Sequence, residues 1–205
     1  MIRVYRIPFS TNVERVALAA AHKRIPVEWI DVDPADRSPV REVSGQELVP
    51  VLVADGEVVY DSPRVLAWLE EHHPEPPLWP RDGARQAEAD VFVEWFNHVW
   101  KAAPNGIEAE LARKTADPAR VEELGARMAG WLDLFESLLA GRDHLLGDFG
   151  VADVVAFPFL KYGRLGLPAG DDEVFHRILV ERQPIGERHP RLAAWIDRMD
   201  TRPRA

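Results

Sequence analysis

The sequence predicts an α/β plus all-α fold: a small βαβ-ββα domain followed by a helical bundle. Three observations point there. Strand and helix signals alternate through the first 80 residues, four prolines then interrupt the chain within seven residues, and everything beyond reads with helical spacing. A chain of 205 residues has room for one large domain or two small ones, and buries a core without covalent staples.

Ile2 to Ile7 is a short β-prone run ended by Pro8. Thr11 to Arg24 has helical spacing, with Val13, Val16, Ala17 and Ala20 on one face. Val27 to Val32 reads as a second strand, and the stretch after it as a loop. Val49 to Ala54, Asp55-Gly56 and Val58 to Tyr60 make a hairpin with an Asp-Gly turn. Ser62 to His72 is a second helix. Two parallel strands joined by a helix, then a hairpin and a helix, build one α/β layer. Pro74, Pro76, Pro77 and Pro80 cannot continue a helix, which places the first domain at 1–76 and a linker at 77–83.

The second domain is expected at 84–205. Ala84, Ala87, Val91, Trp95 and Val99 stripe a helix from Ala84 to Lys101. Val121, Leu124, Met128, Trp131, Leu132, Phe135 and Leu138 stripe another. Val151 to Leu165 is apolar nearly all round, so it is expected at the centre of the bundle. Leu192, Trp195, Ile196 and Met199 mark the last helix.

Composition excludes several classes of function. With 25 Lys+Arg against 34 Asp+Glu the formal net charge is −9, which argues against general nucleic-acid binding. The chain has no cysteine, so disulfides, thiolate zinc sites, Fe–S clusters and a cysteine nucleophile of its own are excluded. Any thiol chemistry has to borrow its sulfur. The histidines are scattered; the adjacent His72-His73 pair reads as a solvated helix end, and no metal site is expected. There is no long apolar signal segment, no membrane-spanning window, no phosphate-binding glycine loop and no nucleophile elbow. The expectation is a soluble cytoplasmic protein with neither membrane nor nucleic acid as a partner.

Three motifs carry candidate chemistry. In Pro8-Phe9-Ser10-Thr11-Asn12-Val13-Glu14, Thr11 and Glu14 have capping-box spacing. If Thr11 is the cap, Ser10 lies outside the helix with a free hydroxyl at the positive end of the dipole, suited to an anion such as a thiolate. If Ser10 is the cap, its side chain serves the backbone. Pro50, in Leu48-Val49-Pro50-Val51-Leu52, is either an ordinary edge-strand proline or a cis proline that turns the Val49 backbone outward for a peptide ligand. Tyr60-Asp61-Ser62-Pro63 is a strong helix start through capping alone. It also suits a ligand with both a carboxylate, at Ser62 and the helix N–H groups, and an ammonium, at Asp61. Such a ligand is an amino acid or a γ-linked one.

These segments, in this order and spacing, resemble the cytosolic glutathione S-transferase family over essentially the whole chain. The match runs through Pro8 to Val16, Val49 to Leu52, and Asp61-Ser62 with Ala67 to Glu71. In the second half it runs through Leu146-Gly147-Asp148, Ala152-Asp153 and His189 to Trp195. The resemblance implies a thioredoxin-like glutathione-binding domain and a helical second domain. Ser10, similar to the serine of theta-, zeta- and phi-like members, would be catalytic and stabilise the glutathione thiolate. Val49 would pair with the cysteinyl backbone before a cis Pro50, with Asn12, Leu48 and Arg37 also in the glutathione site, and Asp61 and Ser62 would hold the γ-glutamyl end. Glutathione would be the co-substrate, a small apolar electrophile the second substrate, and a homodimer the assembly. Phe9, Trp95, Val99, Trp100 and Pro104 are the expected apolar wall for the electrophile; the alternative for the Trp95 and Val99 stripe is bundle core. Tyr5, inside the first strand, is expected in a packing role. The implied reaction is conjugation in a detoxification role. Isomerisation or dehalogenation with the same thiolate, or non-catalytic binding on the same fold, are the alternatives.

The sequence departs from the family pattern at two places. Ser44-Gly45-Gln46-Glu47-Leu48 stands where Asn-Pro-x-Gly is common, and the glycyl carboxylate has Arg37 or Arg41 as its candidate. Gly150-Val151-Ala152-Asp153 replaces a Ser/Thr capping box, with Asp153 still able to reach the Gly150 N–H and Phe149 and Val154 able to form a staple.

Overall fold

In the first strand, β1 (Ile2–Arg6), Ile2 and Val4 face inward and Arg3 faces solvent, the period-two pattern of a half-buried strand. In the computed structural model, which describes residues 1–205, β1 pairs in parallel with β2 (Val27–Asp31) through the crossover helix α1 (Thr11–Lys23). It pairs antiparallel with β3 (Val51–Ala54), which turns through Asp55 and Gly56 into β4 (Glu57–Tyr60). The sheet order is β2-β1-β3-β4, the expected mixed layer. Both turn residues have positive φ, 51° and 89°, as a tight two-residue hairpin requires.

A helix, α2 (Ser38–Ser44), occupies the stretch read as a loop. It has seven residues and buries only Val40, so it shows no helical period in the sequence. Val40 joins Ile7, Val32, Val51 and Val53 in a core cluster, with Tyr5 packed against it. The helix α3 (Ser62–His72) has the predicted bounds. The buried Lys23 ammonium ties its end down, pairing with Glu70 at 2.6 Å and donating to the His73 and Pro76 carbonyls.

The chain divides into two units, Met1–Arg81 with Arg202–Ala205, and Asp82–Thr201. The last four residues, expected with the helical half, group with the first unit: the Ala205 N–H donates to the Ala17 carbonyl and Arg204 pairs with Glu14 at 3.0 Å.

The second unit is helical: α4 (Gly83–Trp95), a π-helical turn at Phe96–Trp100, α5 (Ala102–Leu111), α6 (Pro118–Leu138), α7 (Val151–Leu160), α8 (Tyr162–Leu165), α9 (Val174–Arg182) and α10 (Pro190–Asp200). Every residue of α7 is buried, as its all-round apolar character predicts. The buried Asp153 carboxylate accepts from the Leu145 and Gly150 N–H groups, both at 3.1 Å, and from the Trp195 indole at 2.7 Å. The expected reach back to Gly150 is therefore made. No helix is long and apolar enough to cross a membrane.

Candidate active site

Strand register decides which loops meet. Tyr5 lies opposite Val51, and Val51 opposite Tyr60. The residues that follow β1, precede β3 and follow β4 therefore emerge at one end of the sheet. These are the three segments singled out by sequence. The N-termini of α1 and α3 start there too, so two positive helix ends share that edge.

Ser10 is the N-cap of α1, and its Oγ accepts the Val13 N–H at 3.4 Å. Thr11 is already helical and buried, and Glu14 pairs with Arg204. The Thr11–Glu14 capping box is therefore not formed; the chain places the cap one residue earlier, where Ser10 has non-helical backbone. Capping uses a lone pair of the hydroxyl and leaves its proton to donate. The two readings of Ser10 are thus compatible: one oxygen can serve the helix and still offer an O–H to an anion.

Phe9, one residue before the Ser10 cap, and Asp61, the N-cap of α3, have φ of 61° and 72°. Left-handed backbone at a non-glycine residue costs about 1 kcal/mol or more and concentrates at ligand sites. It presents Phe9, 40% exposed, beside Ser10. The Val49–Pro50 peptide bond is cis, with Pro50 buried and Val49 half-buried. Leu48 is 71% exposed, and the Gln46 side chain brackets its backbone: Oε1 accepts the Leu48 N–H at 2.6 Å and Nε2 donates to its carbonyl at 3.0 Å. Gln46 stands within the segment that departs from the family pattern, and supplies by side chain what orders this loop.

Ser62 opens α3 and is buried. Its hydroxyl donates to Asn12 Oδ1 at 3.1 Å and accepts from Arg15 Nη1 at 3.1 Å, and Arg15 Nη1 also reaches Asn12 Oδ1 at 3.2 Å. This network fastens the start of α1 to the start of α3. Arg15 has no exposed surface. Burial pulls its guanidinium well below its ordinary value, to about 9, while the Asp61 charge acts in the opposite direction. Asp61 itself is exposed and makes no capping bond. Sequence reading missed Arg15; the signal was an arginine abutting the apolar run Val16 to Ala20, one helical turn after Asn12.

Arg37 donates to the Pro34 carbonyl at 3.3 Å and to the Glu47 carbonyl at 3.4 Å, while Arg41 pairs with the Glu47 carboxylate at 2.6 Å. In the helical unit Val99 is 43% exposed and Trp95 half-buried, its ring edge-on to Trp131 at 5.1 Å. Trp100 and Pro104, expected in an apolar wall, are buried in that unit's core. Trp100 stacks on Phe96 at 4.4 Å and meets Phe159 edge-on at 5.9 Å. The π turn explains the split: it carries Phe96 and Trp100 inward together and leaves Val99 outside.

A mixed four-stranded sheet with a cis-proline loop beside the N-terminus of its first helix, followed by a helical unit, defines a thioredoxin-like protein with an appended bundle. Residues 4–77 match the family model described as glutathione S-transferase, N-terminal domain. The chain is similar to glutathione S-transferase GstB of Escherichia coli K12, 27% identical over 205 residues, covering 90% of this chain and 96% of that one. It is also 30% identical over 171 residues to FtsZ-localized protein A of Caulobacter vibrioides, covering 77% of this chain and 75% of that one. Among solved structures it resembles a glutathione S-transferase of Methylobacterium radiotolerans, in complex with glutathione sulfonate, with a TM-score of 0.77 and 27% identity over 98% of this chain and 91% of that chain. The chain belongs to the glutathione S-transferase family, and its enzyme class is that of the glutathione transferases.

Proposed function

We propose that this chain is a serine-type glutathione transferase. The observation that carries the reading is the convergence at one sheet end of Ser10 on the α1 N-terminus, the cis Val49–Pro50 loop and Asp61-Ser62 on the α3 N-terminus. Glutathione binds in extended form along that edge. Its cysteinyl backbone pairs with Val49 beside Pro50, with Leu48 adjacent. Its γ-glutamyl ammonium meets Asp61, and its γ-glutamyl carboxylate meets the first N–H groups of α3 near Ser62 and Asn12. Arg37, whose bonds to two carbonyls are long, takes the glycyl carboxylate.

The Ser10 hydroxyl donates a hydrogen bond to the thiolate while the α1 dipole favours the negative charge. A free thiol titrates near 8.5, and lowering that by two units requires about 2.7 kcal/mol. One hydrogen bond to a charged group contributes about 1.5–3 kcal/mol, and a helix terminus about 0.3–1 kcal/mol. The two together match the requirement. The thiolate then attacks an electrophilic carbon, a C–S bond forms, and the leaving group departs with the electron pair of its bond to carbon. Phe9, exposed beside Ser10, is the apolar candidate of the first unit; the electrophile is small and apolar.

The test compares wild type with Ser10→Ala, measuring conjugation of a chlorodinitrobenzene electrophile and the ultraviolet absorbance of bound thiolate across pH. The variant is expected to bind glutathione, to raise the bound thiol's titration midpoint by one to two units, and to lose roughly ten- to a hundredfold in kcat/KM at pH 7. Full activity in the variant would remove Ser10 from the mechanism. The similarity to FtsZ-localized protein A favours a second reading, an interaction protein on the same fold. Absence of retention on immobilised glutathione, together with no turnover by wild type, would select it.

A further inference from the structure

The first unit has a second concavity, at the opposite end of the sheet from Ser10. Ile2 opens β1 and lies opposite Val27, while the Asp55 turn joins β3 to β4 beside them. A cavity of about 950 Å³ opens there, floored by Ile2, Ile25 and Val27 and walled by Trp68 and His72 of α3, with Glu28 and Asp55 in its lining. That volume suits a drug-sized organic molecule.

The aromatic wall is fixed. Trp68 stacks on His72 with ring centroids 4.0 Å apart and planes 16° from parallel. The Trp68 indole N–H donates to the Glu57 carboxylate at 2.6 Å, and His72 Nδ1 lies 2.9 Å from the Trp68 carbonyl. The wall is therefore preorganised, so a ligand does not have to order it.

Charge selects the ligand. No lysine or arginine lines the cavity, and its carboxylates are Glu28 and Asp55. The Met1 ammonium, 3.8 Å from Asp55, partly offsets one of them. Glu28, exposed at the mouth and opposite Arg3 in the strand register, is the carboxylate offered as an anionic anchor. The side chains do not gather for a metal ion: no three ligating groups meet. Aliphatic floor, aromatic wall and carboxylate rim together match an apolar body carrying a positive nitrogen, which gains from the ring face as well as from the carboxylate.

We propose that this cavity binds a lipophilic organic ammonium ion, in a site separate from the one that holds glutathione. Calorimetric titration at pH 8 of the full chain saturated with S-hexylglutathione tests it. The probes are 1-naphthylmethylammonium, the neutral 1-naphthylmethanol and the anionic 1-naphthoate. The ammonium probe is expected to bind at least tenfold more tightly than the alcohol and more tightly still than the carboxylate. Glu28→Gln, an exposed change that leaves the fold intact, is expected to weaken the ammonium probe about fivefold and the alcohol hardly at all. Trp68→Leu is expected to weaken both. Equal affinity for all three probes, an unchanged Glu28→Gln, or loss of binding when S-hexylglutathione is present would overturn the proposal.

Discussion

Ser10 joins two demands in one hydroxyl. Its oxygen caps α1 by accepting from Val13 and its proton is available for an anion. Ser10→Ala is therefore expected to cost stability as well as rate, about 1 kcal/mol for the lost cap and roughly 2–4 °C in Tm. Calorimetry on the glutathione-free protein isolates that part. Ser62 and Asp61 act on Arg15 in different ways. Ser62→Ala leaves a buried guanidinium donor short of a partner, a loss of about 1–3 kcal/mol. Asp61→Asn removes only a solvent-screened charge, a loss of about 0.5–1 kcal/mol. Urea titrations of the two variants should rank Ser62→Ala as the more damaging, and the reverse order would mean that the Asp61 charge, not the hydrogen bond, holds Arg15 in place.

Element packing sets its own tolerances. A Cβ on Gly163 of α8 would lie 2.1 Å from the Gln183 carbonyl oxygen, which is backbone and has little freedom to move. The same approach is held by the Ile185 N–H on the Gly163 carbonyl at 2.9 Å and by Gln183 Nε2 on the Phe159 carbonyl at 2.7 Å. Gly163→Ala is expected to destabilise by about 2–3 kcal/mol, with Tm lowered by roughly 4–10 °C in a thermal scan. At the end of α1, His22 Nε2 sits 3.3 Å from the Pro77 carbonyl, and burial holds its titration below the ordinary value of 6.5. The unfolded chain therefore takes up a proton at higher pH than the folded one. The stability this group contributes is present above pH 6.5 and is lost as pH falls through 6.5 toward the depressed folded value. His22→Gln should flatten the decline in Tm between pH 7.5 and 5.5; an unchanged slope would assign the acid sensitivity elsewhere.

For the whole molecule, the family implies a homodimer. Val58 and Tyr60 are exposed on β4, the free edge of the sheet, where unpaired backbone and apolar side chains favour association. Sedimentation is expected to give twice the chain mass of 23.2 kDa. A monomer at micromolar concentration would contradict it. The acidic surface, with a formal net charge of −9, favours dispersal of such dimers over further aggregation.

Much of the first unit was readable because its elements announce themselves locally. Alternation marks β1, the Asp-Gly pair marks the hairpin, and Ser62-Pro63 marks the start of α3. The helix α2 was not readable, and neither was the π turn, while α5 and α9 lie in the stretch read as helical but carried no bounds of their own. α2 buries one residue and so has no period, and the π turn breaks the very period that a helical stripe relies on. The candidate site was half legible. Ser10, Pro50, Asp61 and Ser62 stand at element boundaries, where turn and cap chemistry gives them away. Arg15 acts through Ser62, which only folding brings near, Gln46 brackets the backbone of Leu48 two residues on in a local turn that no motif marks, and Trp100 and Pro104 are withdrawn by packing.

By itself the sequence determined the order of the four strands with α1 and α3, the acidic charge and the absence of any sulfur nucleophile, because each depends on residue type or short-range spacing. Tertiary structure alone decided that three separated loops share one end of the sheet, that Ser10 rather than Thr11 caps α1, and that Arg15 lies beneath Asn12 and Ser62. Those facts depend on strand register and on burial, which are set by residues distant in the chain.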